Sequence, residues 1–152
     1  MKNNFTSRQT GNMLVNILVT VGIIALLSSI SIPYLKKYQA NLKLNSSARN
    51  LTADLRYAQQ QTISEQVVHK VFLDYENDKY QILRIGAATS TLKTVVFENE
   101  VSYQALSGFS ENYVIFNAYG AVSESGQIIL TNNNGATAAI NIKPSGYVEL
   151  SI

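Results

Sequence analysis

His69 is the chain's only histidine and cysteine is absent, so neither a thiolate zinc set nor a paired His–Cys site can be assembled. His69 lies inside the apolar run from Val67 to Tyr75, where it reads as a strand-face residue, not as a ligand or general base. Asp74, Glu76 and Asp78 alternate across a short polar segment, a pattern that would suit a hard cation. They lack the central glycine and terminal glutamate of a calcium loop, and turn solubility accounts for them better. No phosphate-cradling glycine loop and no nucleophile elbow occurs. The chain is therefore expected to have no catalytic residue, no metal and no cofactor, and not to be an enzyme.

What the sequence does carry is architecture. Its 152 residues, 46% hydrophobic, are enough for one domain with a core. Lys2 and Arg8 account for the excess of basic residues, leaving ten of each sign after residue 11. A balanced remainder gives no electrostatic basis for nucleic-acid binding. Met13 to Ile32 is twenty residues without a charge; as a helix it covers about 30 Å, the hydrocarbon thickness of a bilayer. Asn16, Thr20, Gly22, Ser28, Ser29 and Ser31 interrupt its Ile, Leu and Val. Small and polar residues suit contact between helices in lipid, and Gly22 and Ser29 mark where neighbouring backbones can approach. Two other readings of the run are a core helix of a soluble protein and a secretory signal cleaved near Ser29 to Ser31. Lys36, Lys37 and Lys43 follow the run as Lys2 and Arg8 precede it, so the positive-inside rule alone does not orient it.

Pro33 ends the apolar run, removes a backbone donor and predicts a kink or local loosening. Helical spacing resumes with Leu35, Tyr38 and Leu42. After a one-step slip it continues through Leu44, Ala48, Leu51, Leu55 and Ala58, to an end near Ser64. Arg49, Asp54 and Arg56 among Asn and Gln make this half amphipathic, its apolar stripe being the seam against a sheet. From Val67 the period becomes strand-like. Val67–Tyr75 and Lys79–Ile85 flank Glu76-Asn77-Asp78 as a hairpin. Further strands are expected at Thr94–Tyr103, Tyr113–Phe116, Gln127–Thr131, Ala138–Ile142 and Tyr147–Leu150, separated by Gly120, Ser125-Gly126, Asn132 to Gly135 and Pro144-Ser145-Gly146. One long helix and then about seven strands predicts an α+β fold: an N-terminal α-helix, hydrophobic and then amphipathic, packed on an antiparallel β-sheet domain.

Gly11, an uncharged segment containing Leu14 and Val15, and Pro33 at the twenty-second position after Gly11 resemble the N-terminus of type IV pilins and type II secretion pseudopilins. Ala48-Arg49-Asn50-Leu51 through Leu55-Arg56-Tyr57-Ala58, the strand Val68 to Phe72, Phe116 to Gly120, and Gly146-Tyr147-Val148 are similar to the minor pseudopilin H and FimT-like branch. The resemblance implies a leader over 1–11 cut between Gly11 and Asn12, a transmembrane and filament-core half helix over 12–33, and an amphipathic helix with a β-rich head over 34–152. It also implies a single-pass inner-membrane subunit with its head on the periplasmic side, partnered by other pilins, the assembly platform and a prepilin peptidase, at the tip or initiation point of a pilus or pseudopilus. Asn12 stands where the family usually has Phe, and Asn16 where it usually has Glu. That Glu is thought to pair with the amine of a neighbouring subunit. A carboxylate in lipid needs an opposite charge, whereas an amide offers only a weaker hydrogen bond. Asn16 is then either the mark of a low-copy subunit or a tolerated polar residue, and methylation of Asn12 is left open. Two alternatives stay open as well: a FimT-like DNA-binding minor pilin, for which Lys143 is the only cation from residue 143 to the end, and a secreted soluble β-domain.

Overall fold

A computed structural model describes residues 9–152, with side chains from Asn12 onward. Lys2 and Arg8 lie outside the described residues, as do the other leader positions up to residue 8. Helix α1 runs Gln9–Glu65 and continues through Pro33. Eight strands follow: β1 Val68–Asp74, β2 Lys79–Ile85, β3 Thr89–Val96, β4 Val101–Ser107, β5 Tyr113–Phe116, β6 Gly126–Asn132, β7 Thr137–Ile142 and β8 Val148–Ser151. The chain divides into two units between Tyr38 and Gln39.

In the second unit the expected α+β architecture is present, with the strands sorted into two four-stranded antiparallel sheets. Their orders are β3-β2-β1-β5 and β4-β6-β7-β8. Leu44, Ala48, Leu51, Leu55 and Ala58 are buried in one cluster with Val71, Ile82 and Phe116 of the first sheet and Ile128, Leu130 and Ile140 of the second. The stripe at threes and fours is thus the seam between helix and sheets, and each buried leucine contributes about 2 kcal/mol of hydrophobic stabilisation. Leu35, Tyr38 and Leu42, on the other side of the one-step slip, stay exposed. Burial begins at Ala40 and is continuous along the stripe only after the slip, from Leu44.

The β1–β2 hairpin forms as expected, its register setting Asp74 opposite Lys79. Asp74 is engaged within the hairpin and Asp78 outside it. Asp74 accepts from the Asn77 backbone at 3.2 Å and pairs with Lys79 at 3.2 Å. Asp78, at φ 47°, accepts the Tyr103 N–H at 3.0 Å. Among the described residues no cluster of three metal-ligating side chains occurs.

One strand expectation is corrected. Thr94–Tyr103 is not a single strand: β3 ends at Val96, β4 begins at Val101, and the two belong to different sheets. Between them the Val101 N–H donates to the Glu98 carbonyl at 3.0 Å and Glu100 takes φ 80°. The polar trio Glu98-Asn99-Glu100 is a turn signal that the β-branched residues around it hid. Phe97, at the break, is buried against Tyr80 and Tyr103, with ring centroids 5.7 and 5.0 Å away.

Candidate functional site

In the first unit α1 is apolar on every side. Met13, Leu14, Val15, Ile17, Leu18 and Val19 are all more than half exposed, which no single stripe would give. Its most apolar 18-residue window has a mean hydropathy of 2.4 and none of it is buried. A helix apolar all round belongs in lipid or among other helices, and so much bare surface marks an interaction region.

The polar interruptions are mostly satisfied within the helix itself. The Thr20 hydroxyl donates to the Asn16 carbonyl at 2.7 Å, Ser29 to Leu26 at 2.7 Å, and Ser31 to Leu27 at 3.0 Å. Back-bonded hydroxyls present their carbon atoms outward and carry no unsatisfied donor into hydrocarbon. The Asn16 side-chain amide and the Ser28 hydroxyl differ, having no hydrogen-bond partner among the described residues. A β-carbon added at Gly22 would meet nothing within 4 Å, so this glycine opens space that the chain itself does not fill. Pro33 has no N–H, which leaves the Ser29 carbonyl without its usual helical donor. Asn12 is exposed; Gly11 lies within α1, at the edge of the described side chains.

In the second unit polar side chains of α1 tie it to both sheets. Arg56 Nη2 donates to the Val148 carbonyl at 2.8 Å, and Gln59 Nε2 to the Gly120 carbonyl at 2.7 Å. Asn132, buried at 5% exposure, donates to Asn41 Oδ1 at 2.8 Å while its own Oδ1 accepts from Asn134 and Ala136, both at 3.0 Å. His69 is fully buried on β1, as a strand residue. Its Nδ1 lies 2.8 Å from the Val67 carbonyl, which can only accept, so Nδ1 carries the proton. The ring thereby braces the turn that leaves α1, where Gln66 takes φ 55°.

Asp54 corrects the reading of the helix's polar face. It is 8% exposed, not solvated, and accepts the Tyr80 hydroxyl at 2.6 Å and Lys93 Nζ at 2.7 and 2.8 Å. The signal was there: Ser47, Leu51, Asp54 and Ala58 follow one another at threes and fours, and all four are buried. Burial first, and then the bond to Asp54, push the Tyr80 hydroxyl pKa far up. Burial, reinforced by Asp78 and Asp74, does the same to Tyr103. At the surface, the Arg84 guanidinium 2.6 Å from Glu65 holds that carboxyl below its ordinary value. Lys143 lies 3.0 Å from Glu149.

These features define a class: a pilin-like α+β fold, in which an apolar N-terminal helix leads into a domain built of two antiparallel sheets. The chain matches the family described as type II transport protein GspH over residues 47–146, and it belongs to that family. Two solved structures share the fold. The minor pseudopilin EpsH from the type 2 secretion system of Vibrio cholerae aligns at a TM-score of 0.62 and 11% identity, over 72% of this chain and 96% of that one. The type IV minor pilin FimU of Pseudomonas aeruginosa aligns at 0.60 and 19% identity, over 76% and 92%. No curated protein matches the chain.

Proposed function

We propose that this protein is a minor pilin or pseudopilin, a structural and non-enzymatic subunit that joins other pilin-like subunits in a filament. The observation that carries the reading is the all-round apolar surface of α1 from Met13 to Ile32, leading in one helix into a GspH-family domain. In this reading the first unit crosses the inner membrane and later packs among neighbouring helices, the head lies on the periplasmic side, and a prepilin peptidase cuts between Gly11 and Asn12. The Asn16 amide meets the neighbouring amine by a hydrogen bond without charge neutralisation. A weaker contact of that kind fits a low-copy subunit at the tip or in initiation. The nucleic-acid alternative finds little support, because Lys143 is paired with Glu149 and one cation is a poor phosphate anchor.

Mass spectrometry of the membrane-extracted protein tests the processing step. An N-terminus at Asn12 is expected; an intact Met1 or a cut near Ser31 would refute the reading. Gly22→Leu tests the packing step. Since nothing in the chain lies within 4 Å of the added β-carbon, membrane insertion and folding of the head are expected to be unchanged. Incorporation into filaments should fall by about tenfold, the equivalent of one to two kcal/mol of helix packing. Normal incorporation of the variant would remove Gly22 from the contact.

A further inference from the structure

Where the last turns of α1 pass the start of β8, a groove of about 590 Å³ opens between Arg56, Gln60 and Ile63 on the helix and Tyr147, just before β8, and Val148, its first residue. Its volume is in the range of specific binding clefts. We propose that this groove holds a carboxylate-bearing, apolar-flanked segment of a neighbouring subunit, with Arg56 pairing the carboxylate. The proposal rests on the filament-subunit reading only in taking the occupant to be a neighbouring subunit.

Charge decides the occupant's chemistry. No acidic residue lines the groove. Arg56 spends one donor on the Val148 carbonyl and has no carboxylate partner among the described residues. The acids closest in sequence to the groove walls are committed elsewhere, Glu65 to Arg84 at 2.6 Å and Glu149 to Lys143 at 3.0 Å. A guanidinium with free donors held beside apolar walls is a fitted receptor for one planar carboxylate. A nucleic-acid backbone would need several cations, and the groove supplies one. The apolar side of the occupant is set by Ile63 and Tyr147, which are 46% and 55% exposed. Tyr119, 94% exposed, stands on the neighbouring turn, whose Gly120 packs against Ile63. Tyrosine and arginine around a cleft are the residue types that dominate binding energy in protein interfaces.

The groove is also preformed. The Gln59 side chain bonds the Gly120 carbonyl, Gly146 packs against that same carbonyl, and the Gly146 N–H donates to Lys143 at 2.8 Å. Both turns beside it are thus tied together and to the helix, so an occupant meets a surface that is already ordered.

The test uses the ¹⁵N-labelled full chain in detergent micelles and two capped pentapeptides, Ala-Val-Asp-Val-Ala and Ala-Val-Asn-Val-Ala. The Asp peptide is expected to shift the Arg56 Nε–H and the Gln60 side-chain amide signals, binding about tenfold more tightly than the Asn peptide, the difference a charge-assisted bond gives. Gln60→Glu places a carboxylate one helical turn from Arg56 on an exposed position, where it leaves the fold intact and fills the site from within. It should abolish the Asp-peptide shifts while the rest of the spectrum is retained. Equal response to both peptides, no response at the groove, or stronger shifts of the same signals with an eight-residue oligothymidylate would each overturn the proposal. In cells, the Gln60→Glu chain should be processed at Gly11 as usual and incorporated several-fold less into filaments. Normal incorporation of this variant would overturn the groove as a subunit contact and leave the filament reading standing. Absence of the unaltered chain from filaments would instead defeat that reading.

Discussion

Gly146→Ala is expected to destabilise the folded head by about 3–6 kcal/mol, the larger part from contact and the smaller from backbone strain. Gly146 takes φ +82°, a left-handed conformation that costs an alanine about 1–2 kcal/mol. The added methyl would also overlap the Gly120 carbonyl oxygen and crowd Gln59 Nε2. The displaced atoms are backbone on one side and a committed hydrogen bond on the other, so overpacking adds about 1–3 kcal/mol and the weakened Gln59 bond about 1 kcal/mol. Gly135 is the internal control. It takes φ +77° with nothing within 4 Å of its added β-carbon, so Gly135→Ala should cost about 1–2 kcal/mol, the strain alone. Denaturant unfolding of the full chain in detergent, followed by near-ultraviolet circular dichroism, gives both numbers. If the two substitutions cost the same, the packing of the 143–147 turn on the 117–121 turn contributes nothing.

Gly120 and Gly146 were legible in the sequence as turn residues, and as matches to the minor pseudopilin pattern. That one packs on the other was not, because a turn signal fixes a local backbone shape and says nothing about its neighbour in space. The same division holds along the chain. Spacing at threes and fours located the buried seam from Leu44 to Ala58, since that stripe is driven by burial and little else. It misplaced Asp54, whose burial depends on Tyr80 and Lys93 arriving from two strands 26 and 39 residues away. Alternation located the first hairpin and most of the later strands, but a period of two records which face a side chain takes and not which strand lies beside it. The partition into two sheets, with the chain crossing between them three times and first at Glu98 to Glu100, could not be read that way. The candidate groove was the least legible feature: Arg56 and Val148 are 92 residues apart. The apolar first half of α1 needed no partner to be recognised, because its surface pattern is a property of one helix and twenty uncharged residues.

The largest effect of solution conditions is expected in alkali. Tyr80 and Tyr103 are 0% and 5% exposed, and burial, with carboxylates nearby, raises both hydroxyl pKa values well beyond the ordinary value of 10.0. Around Tyr80 stand Asp54, through it Lys93, and Tyr103 itself; around Tyr103 stand Asp78 and Asp74. An unfolded tyrosine ionises near pH 10, whereas these two remain protonated in the fold. Their contribution is therefore fully present below pH 10 and is lost as the pH climbs from there toward the folded values. Each tyrosine adds a slope of about 1.4 kcal/mol per pH unit, so the pair removes about 5 kcal/mol of stability by pH 12. That is comparable to the whole stability of a marginal domain. Tyr80→Phe separates this from general alkaline denaturation. It deletes one titrating group and the hydroxyl that donates to Asp54, so stability at pH 7 should drop by about 1–2 kcal/mol while the slope of the decline between pH 10 and 12 falls by about 1.4 kcal/mol per pH unit. Tyr103→Phe should lower the slope by the same amount without touching Asp54. Other groups that titrate in this range contribute the same background to all three proteins and cancel in the comparison. Identical alkaline slopes in the unaltered chain and both variants would mean that these hydroxyls ionise as readily inside the fold as outside it. The network holding α1, β2 and β3 together would then be wetter than its geometry implies.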